Sequence, residues 1–276
     1  MAENELDSGP ESVRIVQITD THLYADPEGR LLGLNTRHSM DKVIDLVLDA
    51  PPPDLVIASG DLAHDGSSQA YRHVEDGLQR IDAPVYCLPG NHDETAALQA
   101  CMNNAPFHSV RSTGIGNWLM LFMDSTQPGS ENGHLGKSEL DALDAALAAA
   151  PQRHTMIWLH HQPVPVGSRW LDCMAVDNPQ DFFAVTDRHP QVSAIVWGHV
   201  HQLFEQQRNG VPLLATPSTC VQFLPGSEDF AVDHVPPGYR WFELHTDGSF
   251  DTGVDRLQEI PGRIDLDARG YQGTSD

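Results

Sequence analysis

The chain has 276 residues, enough for one large domain with a sizeable core, and its 40% hydrophobic share is that of an ordinary globular protein. It carries 39 Asp plus Glu against 16 Lys plus Arg, a formal net charge of −23. So acidic a surface repels nucleic acid and anionic membranes, both of which need a basic footprint.

Residues 1–12 are expected to be a flexible N-terminus, polar and acidic where a secretory signal would be basic and then apolar. No apolar run is long enough to span a bilayer, so a cytoplasmic location is expected. Residues 13–18 read as a first strand that runs into Asp20. Met40, Val43, Ile44, Val47 and Leu48 then recur at helical spacing, with Ser39 as the expected N-cap. Residues 55–58 form a short buried strand leading to Gly60 and Asp61, and Tyr71, Val74, Leu78 and Ile81 mark one face of a second helix. Residues 84–88 are the next strand, followed by Gly90, Asn91 and His92. A strand over 118–123 precedes a helix from Ser138 bearing Leu140, Leu143 and Leu147. Strands over 154–159 and 192–197 are separated by a helix with Asn178 as N-cap and Pro179 at its first position. This alternation predicts an α/β sheet core within a domain spanning 13–260.

Further on, Asn209-Gly210 and Asp247-Gly248 each lie between extended stretches, the signature of tight hairpins. The C-terminal part is therefore expected to be antiparallel, and its strands offer a surface on which a homodimer could form. Residues 261–276 are Gly-rich and charged, and read as a loose tail. Residues 25–37 and 163–177 lack periodicity and each follows a candidate ligand, so both are expected to close over the site. Cys87, Cys101, Cys173 and Cys220 are widely spaced and read as reduced thiols rather than a disulfide or zinc framework.

Histidine is the unusual count, at 15. Asp20-Thr21-His22 follows the first strand, and residues i and i+2 of extended backbone point to one side. Asp61, Asn91 and His160 follow three further strands, and His199-Val200-His201 repeats the i, i+2 spacing after another. Open α/β sheets place their ligands at such carboxyl ends. Any one of these pieces is a common turn, cap or core histidine. Together they assemble mixed nitrogen and oxygen donors, suited to iron, manganese or zinc, and too numerous for a single ion. Strand parity does not choose between His160 and its neighbour His161.

The order Asp-x-His, Gly-Asp, Gly-Asn-His-Asp, His and Gly-His-x-His resembles the calcineurin-like metallophosphoesterase superfamily. That resemblance implies two packed mixed β-sheets flanked by helices, an αββα sandwich. It implies two metal ions per chain, iron and/or manganese, with Asp20, His22 and His201 on one, Asn91, His160 and His199 on the other, and Asp61 bridging. The family's ligand is the first histidine after the strand, which selects His160 and leaves His161 behind it. Two metals about 3.5–4 Å apart clamp an in-line phosphoryl displacement and turn a bound water into a hydroxide nucleophile at neutral pH. Their charge outweighs that of Asp20 and Asp61, so the site is cationic inside an acidic protein. His92 matches the histidine that contacts the phosphoryl oxygen or protonates the leaving alkoxide.

Thr216-Pro217-Ser218-Thr219-Cys220 within 214–223, His161-Gln162-Pro163, Trp170-Leu171-Asp172 and Pro237-Gly238-Tyr239-Arg240 resemble the bacterial class III 3′,5′-cyclic AMP phosphodiesterases. This narrower likeness implies hydrolysis of 3′,5′-cyclic AMP to 5′-AMP, lowering cellular cyclic AMP. His22, Asp61, Asn91, His92 and His201 would contact the phosphate, and Trp170, Phe223 and Tyr24 are candidates for an apolar wall around the base. The alternative is a broader phosphodiesterase acting on glycerophosphodiesters or 2′,3′-cyclic nucleotides. A non-catalytic scaffold is disfavoured because His92 and every ligand position are filled.

Overall fold

The computed structural model describes residues 12–271; apart from Ser12, the N-terminal stretch expected to be flexible lies outside them. In chain order the elements are β1 (Ser12–Ile18), β2 (Arg30–Leu31), β3 (Leu34–Asn35), α1 (Thr36–Leu48), β4 (Leu55–Ser59), α2 (Ser68–Leu78), β5 (Val85–Leu88), α3 (Thr95–Cys101), β6 (Phe107–His108) and β7 (Ser112–Ile115). They continue with β8 (Trp118–Phe122), α4 (Lys137–Ala149), β9 (His154–Trp158), α5 (Arg169–Asp172), α6 (Pro179–Thr186), β10 (Val192–Trp197), β11 (Phe204–Arg208), β12 (Val211–Ala215), β13 (Gly238–His245) and β14 (Phe250–Arg256).

Two six-stranded mixed sheets face one another, in the orders β14-β13-β1-β4-β5-β6 and β11-β12-β10-β9-β8-β7. Parity along the strands builds the layers. In β1 and β4, Val13, Ile15, Leu55 and Ile57 point into the seam between the sheets, where they meet Trp118, Met120, Met156, Trp158, Ala194 and Val196. Their neighbours Val16, Ile18, Val56 and Ala58 point outward onto Val43 and Ile44 of α1 and Tyr71 and Val74 of α2. On the second sheet Leu119, Leu121, Ile157, Ile195 and Trp197 turn outward to Leu143 and Leu147 of α4 and Phe182 and Phe183 of α6. Strands covered on both faces read as near-continuous apolar runs, which is why β4, β8 and β10 stand out in the sequence. The expected αββα sandwich is present.

Several local expectations are corrected. Ser39 does not cap α1: the helix starts three residues earlier, Asn35 accepts from the His38 amide, and the Ser39 hydroxyl donates to Thr219 O at 2.6 Å. Asn178 is the N-cap of α6 and Pro179 its first residue, as expected, although the Asn178 amide is spent on Leu135, accepting from its N–H and donating to its carbonyl. Residues 25–37 and 163–177 are not bare loops, since they hold β2 and β3, the start of α1, and α5. Both hairpins form, with Asn209 and Gly210 at positive φ in one turn, but they join different sheets. The β11–β12 hairpin extends the second sheet through β10, and the β13–β14 hairpin extends the first through β1. Residues 261–271 contain no helix or strand, yet Ile264, Ala268 and Tyr271 pack against the core of the second sheet. All four cysteines are free, and no helix among the described residues is long and apolar enough to cross a membrane.

Arg240 links the two sheets from a fully buried position. Its guanidinium donates to Ala215 O (3.0 Å), Thr252 Oγ1 (3.3 Å) and Glu205 Oε1 (3.0 Å). Arg240→Met keeps the aliphatic stem and deletes these donors, and is expected to cost about 1–3 kcal/mol of stability in urea unfolding. Glu205→Ala removes the partner whose side chain is 56% exposed. It is expected to cost below about 1 kcal/mol.

Candidate metal centre

The parallel strands β1, β4 and β5 of one sheet and β9 and β10 of the other end together at one edge of the sandwich. The chain turns sharply there. Asp20, His22, Asp61, His199 and His201 all adopt φ between +46° and +63°, a left-handed conformation that costs about 1–2 kcal/mol per non-glycine residue. Among the described residues only Leu32 and Asn209 share it without being glycine. Gly60, at φ +94°, precedes Asp61, and a Cβ there would lie 2.7 Å from His160 Cγ. Gly198 precedes His199, and its Cβ would lie 2.6 Å from Asp20 Oδ2. The glycines of these motifs thus leave the room that the side chains of His160 and Asp20 occupy.

Backbone hydrogen bonds zip the turns together. Asp20 N donates to Gly60 O (3.0 Å), His22 N to Asp61 O (2.9 Å) and Leu23 N to Leu62 O (3.0 Å). Across the seam, the His199 amide donates to both carboxylate oxygens of Asp20 at 3.0 and 3.1 Å. The His92 amide donates to Asp61 Oδ1 at 2.8 Å.

The side chains converge in two halves. Ligand atoms of Asp20, His22 and His201 lie within 4.8 Å of one another, and so do those of Asp20, Asp61 and His160. His22 Nε2 and His201 Nε2 are 3.1 Å apart, the separation of two nitrogens that share an ion at about 2.0–2.1 Å. His201 Nδ1 donates to Val221 O (2.8 Å) and His160 Nδ1 to Ser59 O (2.9 Å), which turns the opposite nitrogen of each ring toward the centre. His160 Nε2 stands 3.3 Å from Asp61 Oδ2 and 4.0 Å from Asp20 Oδ1.

Whether these residues fit metal ions is tested by what they leave unpaired. Asn91 Oδ1 and both ring nitrogens of His199 are buried without a hydrogen-bond partner. Each such orphan costs about 1–3 kcal/mol, so several at one point are stable only if something else meets them. A cation does so, and the donor set fits it.

The sequence profile of the family described as calcineurin-like phosphoesterase matches residues 13–203, which contain all of these positions. The chain belongs to that family. Among its relatives are two proteins named 3′,5′-cyclic adenosine monophosphate phosphodiesterase CpdA. The one from Pseudomonas aeruginosa is 41% identical over 261 residues, covering 94% of this chain and 96% of that protein. The one from Escherichia coli strain K12 is 41% identical over 266 residues, covering 96% and 97%. In three dimensions the family fold is shared with a dimetal phosphatase from Danio rerio at a TM-score of 0.62 and 15% identity, over 88% of this chain and 98% of that one. The family's architecture implies a dinuclear metal site.

His161, left ambiguous by strand parity, also turns inward: its Nδ1 pairs with Ser125 Oγ at 2.8 Å and its Nε2 is unpartnered beside His160 and His199. Phe223 stacks on His201 (4.4 Å, 20°) and Trp170 meets Phe223 edge-on (4.9 Å), so both candidates for the base wall also belong to the core. Tyr24 leans on His64 (4.8 Å).

Two residues at the mouth escaped the sequence reading. His64 joins His22 and His92 in another close group, and its only sequence signal is its place three residues after Asp61 in a histidine-rich chain. Tyr271 packs over the site, with its ring 6.0 Å from that of His22 and 5.4 Å from that of His92. No periodicity or motif marks it.

Burial opposes charge on the histidines, holding His22 and His199 well below the usual imidazole range and His64 at about 4. His160 is the exception: burial acts against its charge too, but Asp61 and then Asp20 hold it up to about 9. In metal-free protein this pairing adds stability that is fully present below a pH of about 6.5 and is lost as pH rises through about 9. Thermal unfolding of metal-stripped protein should show that decline. Adding metal at pH 7 in weak buffer is expected to release about one proton from His160, with apparent affinity falling as pH falls. Potentiometric titration measures both.

Proposed function

We propose that this chain hydrolyses 3′,5′-cyclic AMP to 5′-AMP with two divalent ions, iron and/or manganese. The observation that carries the reading is the 41% identity to CpdA phosphodiesterases along nearly the whole chain, beyond the metal-binding blocks. Residues outside those blocks support the centre directly. Ser218 Oγ donates to Asp20 O (2.7 Å), Thr219 N to Thr19 O (3.2 Å), and Val221 O holds His201. The stretch over 214–223 therefore forms the back wall of one half of the site.

In this reading Asp20, His22 and His201 would hold one ion, Asn91, His160 and His199 the other, and Asp61 both. Carboxylate, amide and imidazole donors together suit iron or manganese better than calcium or magnesium. When bound, the ions supply a hydroxide nucleophile at neutral pH and offset the charge of the phosphate. His22, Asp61, Asn91, His92 and His201 surround that phosphate. His92 is half-buried, its backbone tied to Asp61 and its ring 4.9 Å from that of His22. From there it delivers a proton to the 3′ oxygen as the bond from phosphorus to that oxygen breaks. Trp170 and Tyr24, both part-exposed, are the candidates for the surface on which the base rests, with Phe223 buried behind Trp170.

Hydrolysis of 3′,5′-cyclic AMP, 2′,3′-cyclic AMP, a glycerophosphodiester and a chromogenic diester by metal-loaded protein tests this. The highest kcat/KM is expected for 3′,5′-cyclic AMP. His92→Ala is expected to lower kcat by about 10²–10⁴-fold with metal content unchanged, and Asn91→Ala to lose part of the metal. A wild type inert on all four diesters ends the enzymatic reading. If 3′,5′-cyclic AMP is the poorest substrate, only the choice of substrate fails.

A further inference from the structure

Three histidines of the centre present one nitrogen inward and must fix the other. For His160 and His201 the fixing partner is a backbone carbonyl, Ser59 O or Val221 O, which can only accept. The ring must then carry hydrogen on Nδ1, so Nε2 is the nitrogen left to face an ion. His22 has no such carbonyl. Its Nδ1 faces Nδ1 of His64 at 3.1 Å.

Two ring nitrogens at that distance share one hydrogen, so one donates and the other accepts. If His64 donated, His22 would carry its hydrogen on Nε2, aimed at His201 Nε2 (3.1 Å) and Asp61 Oδ2 (3.7 Å), and would have no lone pair to offer. If His64 accepts, His22 Nε2 is bare and faces a second bare nitrogen on His201. That arrangement is repulsive until a cation sits between them.

His64 is itself held in place. Its amide donates to Leu23 O at 2.7 Å, continuing the backbone ladder that joins residues 20–23 to residues 60–63. Its ring stacks on His92 (4.6 Å, 21°) and rests against Tyr24. The same turn that delivers Asp61 to the centre thus delivers His64 to the back of His22. We propose that His64 is a positioning residue: it accepts the Nδ1 hydrogen of His22 and so commits His22 Nε2 to the metal.

This rests on the two-metal reading of the site and not on the choice of substrate. The test is titration of metal-stripped protein with Mn²⁺ in the absence of any nucleotide, reading stoichiometry by atomic emission and affinity by competition with a chromogenic chelator. His64→Leu fills similar space without an acceptor, whereas His64→Asn places an amide oxygen where Nδ1 stood. Wild type should bind two ions, His64→Leu should bind one of them about 10–100-fold more weakly, and His64→Asn should stay within about threefold of wild type. Unchanged binding in His64→Leu overturns the proposal, as does His64→Asn binding as weakly as His64→Leu. A second readout needs no variant: imidazole ¹⁵N spectra of the metal-loaded wild type should show His22 protonated at Nδ1, and the opposite tautomer overturns it. Wild type that takes up no Mn²⁺ overturns the two-metal reading and this role with it. Wild type that binds Mn²⁺ but ignores cyclic AMP removes only the substrate.

Discussion

Asp20 and Asp61 lie at the edge of a seam between two apolar sheets, with essentially no contact with water. An ionised carboxylate in such a place is unstable unless charge and hydrogen bonds meet it. Backbone amides of His199 and His92 supply the hydrogen bonds. His160, held up to about 9 by those carboxylates, brings one positive charge, and the rest must come from elsewhere. Much of the local architecture follows from that shortfall. Glycines clear space around the carboxylates, histidine rings are turned by carbonyls at their backs, and unpaired nitrogens are left facing one point.

The same requirement reconciles an acidic protein with an anionic substrate. The net charge of −23 would repel a phosphodiester at long range. A pair of divalent ions reverses the sign locally, where distances are short and screening is weak. Acidity over the rest of the surface works against nucleic acid, whereas a small phosphoester that reaches the ions meets positive charge.

Much of this was legible in the sequence because strand ends and ligand types coincide there. The continuous apolar runs of β4, β8 and β10 announced strands buried on both faces, and Asp20, Asp61, Asn91, His160 and His199 each followed such a run. Other features depend on contacts between distant segments. Ser39 resembles a cap locally, but Asn35 starts the helix earlier and Ser39 turns to Thr219. Two hairpins with similar turns gave no hint that they would join opposite sheets, since that choice lies with their partners β1 and β10. Short pieces such as α3, α5 and β6 lack the length over which periodicity can be read. His64 and Tyr271 belong to no repeating pattern, and their nearness to His22 exists only after folding.

The left-handed turns at Asp20, His22, Asp61, His199 and His201 bear on how such a centre can evolve. Apart from glycine, the residues that tolerate that conformation best are asparagine, aspartate and histidine. These are also the side chains that ligate hard and borderline ions. Backbone geometry and coordination chemistry therefore select from the same short alphabet at these positions. Exchanging one member for another leaves the turn intact, whereas glutamate or cysteine would meet a conformational penalty there. Divergence toward new substrates has its open route through the walls and the mouth, where no such double constraint applies.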